Sequence, residues 1–212
     1  MNTIVNEKPL TLEFMEKASQ VSARVYPVKD LASAFSLTLE LCRAKAPREE
    51  LMHPLPAQGT RAEKASTAGK SSWIMGAPNL DEKEFSDLAK ACAKAGDVLL
   101  IRDGLRDYPG GIDMGVTRMD FGIAETGTLV LNSNSEETRL STMLCEIHVA
   151  ILNAGQIHPT ALSMAEELTA LVSQPSSFTA FITGASRTAD IERVLALGVH
   201  GPLEMVIILV EA

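Results

Sequence analysis

From position 72 to the C-terminus, short apolar runs alternate with stretches of about ten to fifteen residues that carry an amphipathic helical pattern, and few folds accept that alternation. The spacing predicts strands over 72–76, 97–101, 148–152, 177–183 and 203–210. It predicts helices over 81–95, 136–145, 159–172 and 188–197 between them, with extended segments over 119–124 and 128–131. Strands separated by helices of this length imply an α/β fold: an open, largely parallel sheet with helices on both faces. Ligands of such sheets sit outside the carboxyl ends of the strands, so residues just after strands are the first candidates for function.

Local signals support individual elements. Asp81 and Glu84 have the spacing of a capping box, in which each side chain satisfies the other's end of the first helical turn. Phe85, Leu88, Ala89 and Cys92 form the apolar stripe behind them, and Gly96 is placed to end the helix as a left-handed cap. Pro159 fits the first turn of its helix. Upstream, helices are predicted over 10–24 and 30–46, the second with Leu31, Phe35, Leu39 and Cys42 on one face. A loop over 47–69 follows, marked by Pro54, Pro56 and Gly59. Residues 1–69 thus read as an N-terminal helical segment and loop within the same domain as the α/β core over 70–212.

Composition narrows the function classes. With 46% hydrophobic and 22% charged residues the chain of 212 is an ordinary globular one. Nineteen Lys and Arg face 27 Asp and Glu, a formal net charge of −8, whereas duplex binding usually needs a basic excess. Aromatics at 4% leave no base-stacking platform, so nucleic acid is not an expected partner. Cys42, Cys92 and Cys145 are widely spaced, odd in number and without a C-x-x-C pair, which argues for buried reduced thiols and against a disulfide framework or an iron–sulfur cluster. The histidines show no H-x-x-x-H spacing, so neither a metal nor another cofactor is expected. No signal peptide is legible, and the apolar run over 205–210 is too short to cross a bilayer, which makes a cytoplasmic protein without membrane insertion the expectation.

Two segments could carry chemistry. Thr183-Gly184-Ala185-Ser186-Arg187-Thr188 follows a strand and precedes the helix expected over 188–197. Free N–H groups and the helix dipole would make it an anion cradle, with Arg187 as a bidentate partner, or it is simply a well-capped connection with Thr188 as N-cap. In Gly122-Ile123-Ala124-Glu125-Thr126-Gly127-Thr128 an acid interrupts an apolar strand pair. Glu125 there is a base or nucleophile facing a cleft, or a solvated turn residue paired to an arginine such as Arg139. His200-Gly201-Pro202 is a third candidate turn, while His148 reads as structural and His158 as part of a loop.

Taken together, the run from Asp120 to Leu131, the segment Gly184-Ala185-Ser186-Arg187-Thr188-Ala189-Asp190-Ile191-Glu192 and the tail Leu197-Gly198-Val199-His200-Gly201-Pro202 resemble the LUD-domain family. Arg139-Leu140-Ser141 and Ile147-His148-Val149 fall between them in the order of that family. The resemblance spans roughly residues 113–210, with Ala185 standing where the family form has proline. It implies a fold like that of ribose-5-phosphate isomerase and the CoA transferases. It also implies membership of a three-protein apparatus that oxidises L-lactate to pyruvate, as the cluster-free component beside iron–sulfur partners. Within these segments Glu125 is the expected catalytic group, and Thr126, Gly127, Arg139, Gly184, Ser186, Arg187, Thr188 and His200 are expected to bind a small anionic ligand. Other readings are a stand-alone enzyme acting on a phosphorylated or CoA-linked carboxylate, and a ligand-sensing or assembly subunit. A homo-oligomer is compatible with each.

Overall fold

The computed structural model describes residues 9–47, 73–108, 110–174, 177–191, 194–197 and 201–211, with backbone alone for 187–191 and 194–197. Six strands form one wholly parallel sheet in the order β1-β12-β7-β4-β2-β3. They are β1 (Ala23–Val28), β2 (Trp73–Gly76), β3 (Val98–Ile101), β4 (Ile112–Arg118), β7 (Cys145–Asn153) and β12 (Glu204–Val210). A second sheet of four, β8-β5-β6-β9, is built from β5 (Phe121–Ile123), β6 (Thr128–Asn132), β8 (Ile157–His158) and β9 (Thr179–Ile182). The expected α/β architecture is therefore present, with a smaller mixed sheet added to it.

The parallel sheet is covered on both faces, which is why its strands read as nearly continuous apolar runs. On one face α2 (Leu31–Ala44) and α3 (Glu82–Ala95) pack through Ala34, Phe35, Cys42, Leu88 and Cys92 against Met114, Val149, Val206 and Ile208. On the other, α1 (Leu10–Gln20) buries Phe14 and Ala18 beside Leu129, Leu131, Leu152 and Ile207, joining the two sheets in one core. The α4 helix (Glu136–Met143) closes the same side nearer β4. The capping box of α3 is formed, and Gly96 caps it at φ +76°. The three cysteines are buried free thiols, and burial pushes Cys42 and Cys145 up to about 12 and Cys92 to about 11.

Five expectations need correction. The helix expected over 10–24 ends at Gln20, because Ser22 turns left-handed at φ +67° and Val25-Tyr26-Pro27-Val28 goes on as a strand. Pro27 is tolerated there since β1 is the edge strand of its sheet. β4, for which the spacing predicts no strand, is a buried central strand. A Cβ on Gly115 would lie 2.0 Å from the Ser141 carbonyl oxygen, so the glycine serves close packing of α4 on the strand. The helix expected over 136–145 stops at Met143, and Cys145 instead opens β7 opposite Ile112.

The helix expected over 159–172 is regular only as α5 (Ala165–Val172). Before it, Thr160 and Ser163 bond each other's backbone through their side chains, which competes with helix formation. The helix expected over 188–197 is an antiparallel hairpin, β10 (Arg187–Ile191) and β11 (Val194–Leu197), with Arg187 opposite Leu197. Cross-strand pairing there takes the place of intrahelical hydrogen bonds, and among the described residues no helix starts behind Gly184. Of the loop expected over 47–69, residues 48–69 lie outside the described residues, as does His200.

Candidate functional site

Where the topology of the main sheet would place a ligand, described polar groups bond one another. The chain leaves β2 toward β3 and leaves β4 toward β7, so the switch point lies between the carboxyl ends of β2 and β4. There Asn79 bridges the backbone of Arg118: the Arg118 N–H donates to Asn79 Oδ1 at 3.0 Å and Asn79 Nδ2 donates to the Arg118 carbonyl at 2.8 Å. The Arg118 guanidinium lies 3.4 Å from Glu84 of the α3 capping box.

The two segments singled out in the sequence meet elsewhere, at one end of the smaller sheet. Antiparallel pairing of β6 with β9 sets Leu129 opposite Ile182, which brings Thr128 beside Thr183. Their hydroxyls are 2.8 Å apart although 55 positions separate them in the chain. The Thr126 hydroxyl donates to Thr128 at 2.8 Å, so three threonines form one row. Gly127, at φ +65°, lies against the last turn of α1, where a Cβ would come within 2.2 Å of the Ala18 nitrogen. Gly184 meets the next residues of the same connection, at Val21.

Beside this row lies a cleft of about 560 Å³ along β9 and the Thr183–Ser186 turn, closed by Thr142 and Met143 of α4 and by Gly201-Pro202. It adjoins the amino ends of β1, β7 and β12, because Leu203 donates from its N–H to the Glu146 carbonyl at 2.9 Å. The cleft thus lies past the carboxyl end of β9 in the smaller sheet. The described wall carries hydroxyls and apolar groups and no charged side chain. Ser186 is fixed by its N–H, which donates to the Pro202 carbonyl at 3.2 Å.

The other candidates are distributed around this centre. Glu125 is exposed, and its Oε1 accepts from the Ala161 N–H at 3.2 Å, tying the acid to the turn before α5. It is not among the cleft-lining residues. Arg139 donates to the carbonyls of Ser133 and Asn134 and stacks over Phe178, 5.2 Å from the ring centroid. The backbone of Arg187 and Thr188 continues directly from the Ser186 turn into β10. His148 is buried, 2.7 Å from the Thr117 hydroxyl, and burial lowers it to about 4. Asp120 accepts from the Asn132 N–H at 2.5 Å, and burial pushes its carboxyl up. Among the described residues no group of three or more His, Cys, Asp or Glu is placed to hold a metal ion. No described helix is long and apolar enough to cross a membrane.

Sequence reasoning held Thr128 and Thr183 within its two segments without giving either a role, and it passed over Phe181, Met143 and Val21. The one signal available for the threonines was their shared position next to a turn glycine, Gly127 and Gly184.

The sequence pattern of the LUD domain matches residues 12–210 of this chain. Two curated relatives are both called "Lactate utilization protein C". The one from Macrococcus caseolyticus is 33% identical over 102 residues, and the one from Halalkalibacterium halodurans 36% identical over 102 residues. Each match covers 47% of the chain and 44% of the relative, so under half of the relatives' length is represented in it. A crystal structure of a DUF162 family protein from Deinococcus radiodurans superposes with a TM-score of 0.56 over 95% of this chain and 96% of that one, at 16% identity, which bears on the fold alone.

Proposed function

The chain belongs to the LUD domain family, and on that premise we propose that it serves lactate utilisation. It acts there as the cytoplasmic, cluster-free component of an apparatus whose iron–sulfur partners take the two electrons released when L-lactate becomes pyruvate. The observation that carries this reading is the likeness to two proteins called "Lactate utilization protein C". The meeting of the Glu125–Thr128 and Thr183–Ser186 segments through their threonine hydroxyls supports a small-molecule site in the chain itself.

In this reading Gly184, Ser186, Arg187 and Thr188 hold the substrate anion, with Thr126, Gly127, Arg139 and His200 shaping the surroundings. Arg187 would supply the charge that the described cleft wall lacks. Glu125 would take up one of the two protons that leave L-lactate with the two electrons, the other passing to water. The test is growth. A strain lacking this gene should fail on L-lactate as sole carbon source, grow normally on pyruvate, and recover when the gene is restored. Normal growth on L-lactate without the gene would refute the reading.

A further inference from the structure

We propose that Thr183 is a ligand-binding hydroxyl. It donates to a carboxylate or carbonyl oxygen of an organic acid whose apolar body rests on Phe181 and Met143. The inference rests on the reading that the cleft beside Thr183 is this chain's substrate site.

Proton accounting along the threonine row carries the first half. A hydroxyl has one proton to give and two lone pairs to accept with. The Thr126 hydroxyl gives its proton to Thr128. Thr128 is only 6% exposed, so its own proton needs a partner inside the protein, and the Thr183 oxygen at 2.8 Å is the one the described structure provides. With Thr128 donating, Thr183 becomes an acceptor within the row and keeps its own proton. Thr183 is exposed and lines the cleft, so that proton is available to an incoming oxygen.

The apolar wall carries the second half. Phe181 is 53% exposed and Met143 57%, both on the cleft wall, where covering them would be favourable. A cleft of about 560 Å³ also has room for ligands well beyond three carbons. The class that fits is a 2-oxo or 2-hydroxy acid with a branched or aromatic side chain. Lactate and pyruvate would reach Thr183 but leave Phe181 and Met143 uncovered.

The experiment is calorimetric titration of the full chain with pyruvate and with phenylpyruvate, repeated on three variants whose melting temperatures are recorded. Phenylpyruvate is expected to bind at least about tenfold more tightly than pyruvate. Thr183→Val should weaken both acids by about tenfold, and Thr183→Ser, which keeps the hydroxyl, should bind as the parent does. Phe181→Ala should weaken phenylpyruvate only. Equal affinity for the two acids, no binding of either, or unchanged binding by Thr183→Val would overturn the proposal. Growth on lactate plays no part in this readout. Absent binding with gene-dependent growth would reject the ligand assignment alone, and binding with gene-independent growth would reject the lactate role alone.

Discussion

Gly184 and Val21 approach so closely that a Cβ on the glycine would lie 2.0 Å from the Val21 carbonyl oxygen. Gly184 is also left-handed, at φ +74°, so a side chain there would be strained and would clash with backbone that cannot rotate away. Gly127 is in the same position against Ala18. Through these contacts the last turn of α1 is seated between the two motif segments.

Gly184→Ala and Gly127→Ala are accordingly expected to destabilise the chain by about 2–4 kcal/mol each, the sum of a left-handed penalty and overpacking. Urea unfolding with an unchanged slope and a lowered midpoint would show it. Gly96→Ala supplies the contrast, since nothing lies within 4 Å of its missing Cβ, and only the backbone penalty of about 1 kcal/mol applies.

Stability should fall with acid because of His148. Its folded value, about 4, lies below the ordinary 6.5, and burial is the cause. Between those values the unfolded chain binds the proton and the folded one does not. The contribution is complete above pH 6.5 and is lost as pH falls toward 4, at up to about 1.4 kcal/mol per pH unit. The urea midpoint at pH 7 and at pH 5 measures it. The double variant His148→Leu with Thr117→Val, which removes both polar partners together, should show a smaller drop between the two pH values.

A buried ionic cluster pins the amino ends of three strands. Lys45 Nζ lies 2.6 Å from Asp113 and 2.9 Å from Glu146, and the other oxygen of Asp113 accepts from the Ile74 N–H at 2.7 Å. Lys45→Met would take the Lys45 cation away from the buried Asp113 carboxylate, at an expected cost of about 3–5 kcal/mol. Combining it with Asp113→Leu should recover part of that loss. Thermal unfolding of both single variants and the double variant gives the coupling, and simple additivity would contradict it.

Arg187 and Glu125 allow the proposed role to be tested without unfolding the chain. Arg187→Ala is expected to abolish growth on L-lactate at normal protein level and melting temperature, and Arg187→Lys should not restore it, since lysine lacks the planar fork. Glu125→Gln retains an oxygen for the Ala161 N–H and loses the base. It should keep stability within about 0.5 kcal/mol while growth on L-lactate stops. Normal growth of either Arg187→Ala or Glu125→Gln would remove that residue from the site.

The sequence by itself determined the elements whose stabilising partners are local. Asp81, Glu84 and Gly96 close α3 within its own length, and the β12 run, apolar along almost all of it, signals a strand covered on both faces. The family motifs likewise marked the two segments that meet. Tertiary structure decided what local pattern left degenerate. Ala23–Val28 became a strand because β12 was there to pair with it, and Gly115 became a strand residue because α4 needed to lie on it. Residues 187–191 and 194–197 became paired antiparallel strands, an outcome that helix-compatible residues do not announce. The cleft belongs wholly to this second class: Thr128 and Thr183 are neighbours only because β6 and β9 pair in one register, and a shift of one residue would turn alternate side chains to the opposite face.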